Sequence, residues 1–402
     1  EVVSRNTAFS FKGRSLKVPD VARELGVSHV LEGSVRKAGG RVRITAQLID
    51  GSRDSHVWAE RYDRDLTDIF ALQDEISEAI VTALKLKLLP EEKRAIERRG
   101  TDNADAYDLY LMARRYMLSG GNSGVGRAEA MIRLCRRATE ADPNYALAWA
   151  LMAIGYVELR FIDSNSDDGL AAAERAIELD PNLAEAHAAK ARHLGEQGRH
   201  EEASAEIELA LRLDPGSYDV NIFAGRISYR RRQLKDAARY FEKAAAIVET
   251  DFDSGALAIS AYAALGDMDA ARRAARMVLA RAERALTFEP ENVAASSYGA
   301  YSLAALGESS RAKDWIDRAL LIDPDNLNMR YNLGCALSVY LKGSETALEI
   351  LGPFFDRAPA TFLNHARHDP DLDPLREDPR FQAMLAAAEA RLAAAPDGVV
   401  PT

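Results

Sequence analysis

Residues 179–216 read LDPNLAEAHAAKARHLGEQGRHEEASAEIELALRLDPG, and this stretch decides the fold. It opens on Leu179-Asp180-Pro181-Asn182 and closes on Leu213-Asp214-Pro215-Gly216, so the same punctuation returns after 34 residues. Between the prolines, Lys190, Ala191 and Leu194 share one face of a first helical run, and Ala203 and Ala210 share one face of a second. The Asp-Pro step is expected to end one helix and start the next, because proline lacks the N–H that a helix interior needs but is tolerated in a first turn. The same signal recurs as Ala141-Asp-Pro-Asn, Phe288-Glu-Pro-Glu and Ile322-Asp-Pro-Asp, and the interval from Pro290 to Pro324 is again 34 residues. A fixed period of this length marks stacked helix pairs, each covering the apolar face of its neighbour.

With small residues where paired helices must approach, the pattern resembles the tetratricopeptide repeat. Trp149, Met152, Ala153 and Tyr156, followed by Ala176 and Pro181, give the fullest match. Ala224, Gly225, Ala237, Phe241 and Ala244 repeat it, as do Gly299, Ala300, Leu303, Ala312, Ile316 and Ala319, and then Leu333, Gly334, Leu337, Ala347 and Leu351. Two units depart from the period. Residues 104–143 carry an insertion around 120–126, and residues 252–290 have a second helix about two turns too long. The resemblance implies an all-α solenoid of about seven helix pairs over 104–359, followed by a capping segment over 360–395. In that segment residues 370–391, with Phe381 and Leu385, would form a helix over the last repeat's apolar face.

The first 90 residues read differently. Over 29–50 two extended runs flank Ala38-Gly39-Gly40, with Val42, Ile44, Ala46 and Leu48 on one face and Arg41, Arg43, Thr45 and Gln47 on the other. Alternation around Trp58 and Tyr62 suggests a third strand, and Val2 and Val3 an edge strand. Pro19 opens a short helix closed by Gly26, and Leu72, Ile76, Ala79, Ile80, Ala83 and Leu84 form one stripe of a helix over 71–88. The expected module is a small α/β (α+β) sandwich. Its segments Val21-Ala-Arg-Glu-Leu-Gly-Val, Val30-Leu-Glu-Gly-Ser-Val, Arg43-Ile-Thr-Ala-Gln-Leu-Ile-Asp, Trp58-Ala-Glu-Arg-Tyr-Asp and Leu72-Gln-Asp-Glu-Ile resemble the TolB-like amino-terminal domain of bacterial signalling proteins. In that family the module stands between tetratricopeptide repeats and either a class III nucleotide cyclase or a membrane-attached winged-helix regulator.

Charge and cysteine content narrow the options. Residues 1–90 carry 14 basic and 13 acidic side chains and the remainder 38 and 49, so the solenoid is the acidic part and disfavours nucleic acid within this chain. Cys135 and Cys335 are too far apart in sequence to suggest a metal knuckle and read as reduced, small apolar residues. No run of 18 apolar residues suggests a membrane span. A cytoplasmic setting is expected, or a periplasmic one if a span lies upstream, and a start at Glu1 without Met suggests a piece of a longer protein.

By the resemblance, partner contacts come from the second, fifth, ninth, twelfth and thirteenth positions of each first helix. These positions hold Glu185, Arg192, Asp219, Ile222, Arg226, Tyr229, Arg230, Tyr301 and Tyr331. A groove carrying Arg192, Arg226 and Arg230, flanked by Tyr229, Tyr301 and Tyr331, would suit an acidic peptide or a carboxylate. The alternative is that the arginines pair with Glu185, Asp219 or other acids of the chain itself. Asp163, Asn165, Asp167 and Glu174 have the oxygen spacing of a calcium loop, but Asp168 stands where that loop needs Gly. The similar series Asp369, Asp371, Asp373 is broken by Pro374, and His365 with His368 is a weak metal pair. Residues 121–126 lack the Lys and Ser/Thr of a phosphate loop. The expectation is a non-enzymatic regulatory module without a cofactor. It would bind a protein or peptide or self-associate, with a winged-helix sensor or a free-standing scaffold as alternatives to a cyclase partner.

Overall fold

A computed structural model of the chain describes residues 17–25, 27–38, 41–65, 69–84, 100–118, 125–162, 169–248, 250–341 and 343–394. The chain divides into two compact units, the boundary falling between Asp108 and Leu109.

In the first unit α1 (Val18–Leu25) precedes three strands, β1 (His29–Ala38), β2 (Arg41–Asp50) and β3 (Ser55–Asp65), and α2 (Ile69–Ala83) follows them. The strands form an antiparallel sheet in the order β1-β2-β3. Val42, Ala46 and Leu48 are buried as the alternation requires, and Ile44 and Leu48 face Tyr62 and Trp58 across the β2–β3 ladder. Leu72 of α2 completes the small core with Val42 and Tyr62. A bulge at Leu48/Ile49 shifts the register near the end of β2. There Gly51 leaves room for α1, because a Cβ on it would lie 2.3 Å from that of Ala22. Val2, Val3, Gly26 and residues 85–88, part of the sequence reading, lie outside the described residues.

The second unit takes up most of α3 (Ala104–Leu118) and continues as helix pairs: α4 (Val125–Ala141) after α3, then α5 (Ala146–Ile162) with α6 (Leu170–Leu179), α7 (Ala184–Glu196) with α8 (His200–Leu213), α9 (Tyr218–Arg230) with α10 (Leu234–Ile247), α11 (Phe252–Ala264) with α12 (Met268–Phe288), α13 (Val293–Ala305) with α14 (Ser309–Ile322), and α15 (Leu327–Tyr340) with α16 (Ser344–Arg357). First helices stack on first helices along the array, as α5, α7 and α9 do and again α13 and α15. The fold is a small antiparallel-sheet module followed by an all-α repeat array, and α12 has the extra length expected from its sequence, 21 residues against 14 for α8, α10, α14 and α16.

The Asp-Pro steps behave differently from expectation. Proline does not open the following helix but sits in a short turn, and the helix starts three residues after it, at Ala146, Ala184 and Tyr218. The aspartate holds the turn: Asp142, Asp180 and Asp214 each accept the N–H two residues on, at 2.9–3.0 Å. The proline carbonyl is then bound by the side chain six residues later, by Trp149, His187 and Asn221 at 3.0 Å and by Arg330 at 2.6 Å. Four side chains of different chemistry thus close one repeating turn by satisfying the same orphan acceptor.

Helices within a pair approach closely where one residue is small. A Cβ on Gly299 of α13 would lie 2.2 Å from the Trp315 ring of α14. Replacing Gly299 with Val should therefore lower stability by about 2–3 kcal/mol in urea unfolding, through overpacking. Gly126, with nothing within 4 Å of a Cβ, should tolerate Ala without loss.

Candidate functional site

The chain does not stop at the last helix pair. After α16 come α17 (Ala360–His368), a 3-10 turn (Pro370–Leu375) and α18 (Pro379–Ala394). α18 packs on α16 as a cap. The residues before it turn back over the face lined by the first helices: α17 reaches α5, and the 3-10 turn packs on α15 and α11. Thr361 donates to the carbonyl of Arg160 at 2.9 Å, across 201 positions of sequence. The capping segment expected over 360–395 is thus two things, an end cap and a strap laid along the inner face. Phe362, Leu363, Leu372 and Leu375, all at most 3% exposed, anchor the strap in the core.

Polar contacts of the strap converge on two carboxylates. Tyr331 donates to Asp369 Oδ2 at 2.5 Å, Tyr229 to Asp369 Oδ1 at 3.0 Å, and the Asp371 N–H closes on the same Oδ1 at 2.9 Å. Tyr301 donates to Asp371 Oδ2 at 2.6 Å, and Ser260 lies 2.6 Å from Asp371 Oδ1 and 2.5 Å from the Tyr229 oxygen. His365 Nε2 is 3.4 Å from Asp369. Asp373, at the rim, meets Arg232 at 3.3 Å and Arg376 at 2.7 Å.

The protons can be counted. Ser260 gives its proton to Asp371, so the single proton of Tyr229 is shared between Asp369 and the Ser260 oxygen. Burial, and then the charge of Asp369, push Asp371 up to about 7 against the hydrogen bonds from Ser260 and Tyr301. Burial would also raise Asp369, but the hydrogen bond and charge of His365, with Tyr331, outweigh it and hold that carboxyl below its ordinary value. Burial and the neighbouring aspartates raise all three tyrosines well above 10, so they stay donors.

The three sequence-predicted tyrosines are therefore brought together, by a segment of the same chain standing where a foreign peptide was expected. The arginines lie further along the inner face. Arg192, 4% exposed, meets Glu196 at 3.0 Å, and Glu196 also lies 3.9 Å from Arg230, which donates to the Gly195 carbonyl at 3.3 Å. Arg226 pairs with Asp253 at 2.6 Å, and Tyr298 donates to the other oxygen of Asp253 at 2.8 Å. Burial pushes Arg192 down to about 10, Glu196 opposing it and Arg230 and Arg226 adding to it. Burial works against the charge of Arg226 too, but Asp253 and Glu158 hold that group above its ordinary value.

Pairing within the chain was weighed from sequence with Glu185, Asp219 or other acids, and the acids found on these arginines are Glu196 and Asp253. Asp219 is buried under Arg114 at 2.5 Å, and Glu185 accepts from Ser217 at 3.4 Å. Ile222 is buried. Of the calcium-spaced residues, Asp163, Asn165 and Asp167 lie outside the described residues, and Glu174 is exposed on α6. His365 points to Asp369, whereas His368 is exposed and bonded to the Asn364 carbonyl at 2.8 Å, so the two histidines do not converge. Among the described residues no group of three or more His, Cys, Asp or Glu could hold a metal, and no helix is long and apolar enough to cross a membrane. Cys135 and Cys335 are both buried and free. Residues 119–124 are outside the described set. Sequence reasoning missed Ser260, Tyr298 and Asp253, and it set aside Asp369 and Asp371 after testing them only as calcium ligands.

The tetratricopeptide repeat family model matches residues 184–217, the α7–α8 pair. That pair thus carries a tetratricopeptide repeat within the longer array of helix pairs. A Rhizobium meliloti (strain 1021) protein named "Putative adenylate cyclase 3" is 41% identical over 209 residues, which is 50% of this chain and 35% of that protein. The chain thus spans about a third of that relative's length. Among solved structures, the tetratricopeptide protein YrrB, described as having an unusual peptide-binding site, is 21% identical with a TM-score of 0.31, covering 48% of this chain and 95% of its own. Pseudomonas aeruginosa pilF is 18% identical with a TM-score of 0.37, covering 56% and 98%.

Two outcomes follow from the strap contacts. Tyr331→Phe leaves a buried carboxylate one donor short and should cost about 1.5–3 kcal/mol in urea unfolding. Asp371 has a folded-state pKa above its unfolded one, so its contribution is complete below about 4 and is lost as pH rises through about 7. Asp371→Asn, which can accept from Tyr301 and donate to Ser260, should fold and should lack that decline when stability is measured across the interval.

Proposed function

We propose that this chain is the interaction and regulatory part of a bacterial signalling protein whose output is a class III adenylate or guanylate cyclase. The observation that carries this reading is the 41% identity over 209 residues to a protein named as an adenylate cyclase, of which the chain covers only 35%. The TolB-like pattern of the first 90 residues supports it, because in that family such a module joins repeats to an output domain. In this reading the chain carries no catalytic step itself and works in the cytoplasm.

The solenoid supplies the physical means. Stacked helix pairs present a long, stiff surface and transmit a change at one repeat to its neighbours through packing. Because the strap already lies over the inner face, the surface offered to a partner protein is that of the outer faces of the repeats.

The test uses the natural full-length protein. Cyclic nucleotide formation from ATP and GTP should be detectable, and deletion of residues 104–394 should change its rate several-fold. A parent with a basic winged helix in place of a cyclase, or a rate indifferent to the deletion, would contradict the proposal.

A further inference from the structure

Beneath the strap the inner face is not filled. A cavity of about 200 Å³ remains, walled by first helices on one side and by His365, Asp369 and Asp371 on the other. Arg192, Arg226 and Arg230 line it, the first two at the same position of successive repeats.

Their hydrogen bonding is incomplete. The Nε–H of Arg192, a residue 96% buried, has no acceptor, and neither has the Nε–H of Arg226. Both buried oxygens of Glu196 likewise lack a hydrogen bond although Oε1 lies 3.0 Å from Arg192 Nη2, so the open positions of the two arginines are at Nε, where a buried donor without an acceptor is costly. Four guanidiniums stand at this end, Arg127 being the fourth, against three carboxylates: Glu158, 4.0 Å from Arg127, Glu196, shared between Arg192 and Arg230, and Asp253 on Arg226. Of the remaining acids of the wall, Asp251 accepts the Ser254 N–H at 3.0 Å through Oδ1 and leaves its buried Oδ2 without a hydrogen bond, and Asp369 and Asp371 are held by the tyrosines and Ser260.

We propose that this cavity binds a small anion bearing a carboxylate or phosphate group, with Arg192 and Arg226 as its main donors and Arg230 at its edge. Guanidinium forks match both oxyanions, and a volume of about 200 Å³ suits a compact molecule. The solenoid would then be a small-molecule sensor, whatever protein it also contacts. The inference stands apart from the cyclase assignment, since the site lies wholly in the second unit.

Thermal melts and titration calorimetry of the whole chain, at fixed ionic strength set with chloride, test this with sodium phosphate and sodium succinate as probes. At about 10 mM, one or both should raise Tm by about 3 °C and bind with one-to-one stoichiometry. Arg226→Gln should abolish the response. Should that variant fail to fold, Arg230→Gln, altering a half-buried group, should weaken binding at least tenfold, whereas the exposed Arg272→Gln should not. A response to phosphate alone assigns a phosphorylated ligand, to succinate alone a carboxylate, and to both the shared oxyanion chemistry. No shift beyond chloride with either probe, or equal binding by the Arg230 and Arg272 variants, overturns the site.

Discussion

Two aspartates, Asp369 and Asp371, hold the carboxyl-terminal segment against the inner face of the repeats through Tyr229, Tyr301, Tyr331 and Ser260. The rest of the second unit's organisation depends on this contact. It ties α9, α11, α13 and α15, four successive first helices, to one turn of chain, so repeats that would otherwise touch only their neighbours acquire a common partner. Buried carboxylates are tolerated there because every oxygen has a donor, and because one of the two can carry a proton.

That contact also changes the meaning of the inner face. An open groove offers a ribbon of side chains to an extended peptide, but a strapped groove leaves a partly covered space. The tyrosines belong to the strap and the arginines to the cavity, though in sequence both occupy equivalent positions of equivalent helices. A repeat array normally answers its partners along its length; here one end of that surface is committed internally, and the polar groups left over are concentrated around a small volume.

Much of the architecture could be read from residues. The 34-residue return of Asp-Pro located the helix pairs, small residues at Gly225, Gly299 and Gly334 located the crossings, and the alternation from Val42 to Leu48 located the sheet's buried face. The excess length of α12 was visible as a broken period. Turn chemistry was read only in part: proline was legible as a stop, but the aspartate's grip on the N–H two residues on, and the side chain that returns to the proline carbonyl, depend on geometry that a period does not encode. The strap was illegible for a different reason. Its contacts join residues separated by 38 to 201 positions, and the Asp-x-Asp series reads locally as a failed metal loop. The three tyrosines were singled out by position, and their acceptors were missed because no rule of spacing links them.

Amide hydrogen exchange over residues 361–375 of the whole chain tests the central claim most directly. Docking predicts slow exchange in this segment, accelerating sharply when Asp369 and Asp371 are replaced by Ala while α8 and α14 keep their protection. Exchange in the unmodified chain at the rate of a free peptide would contradict it, and with it the cavity beneath the strap.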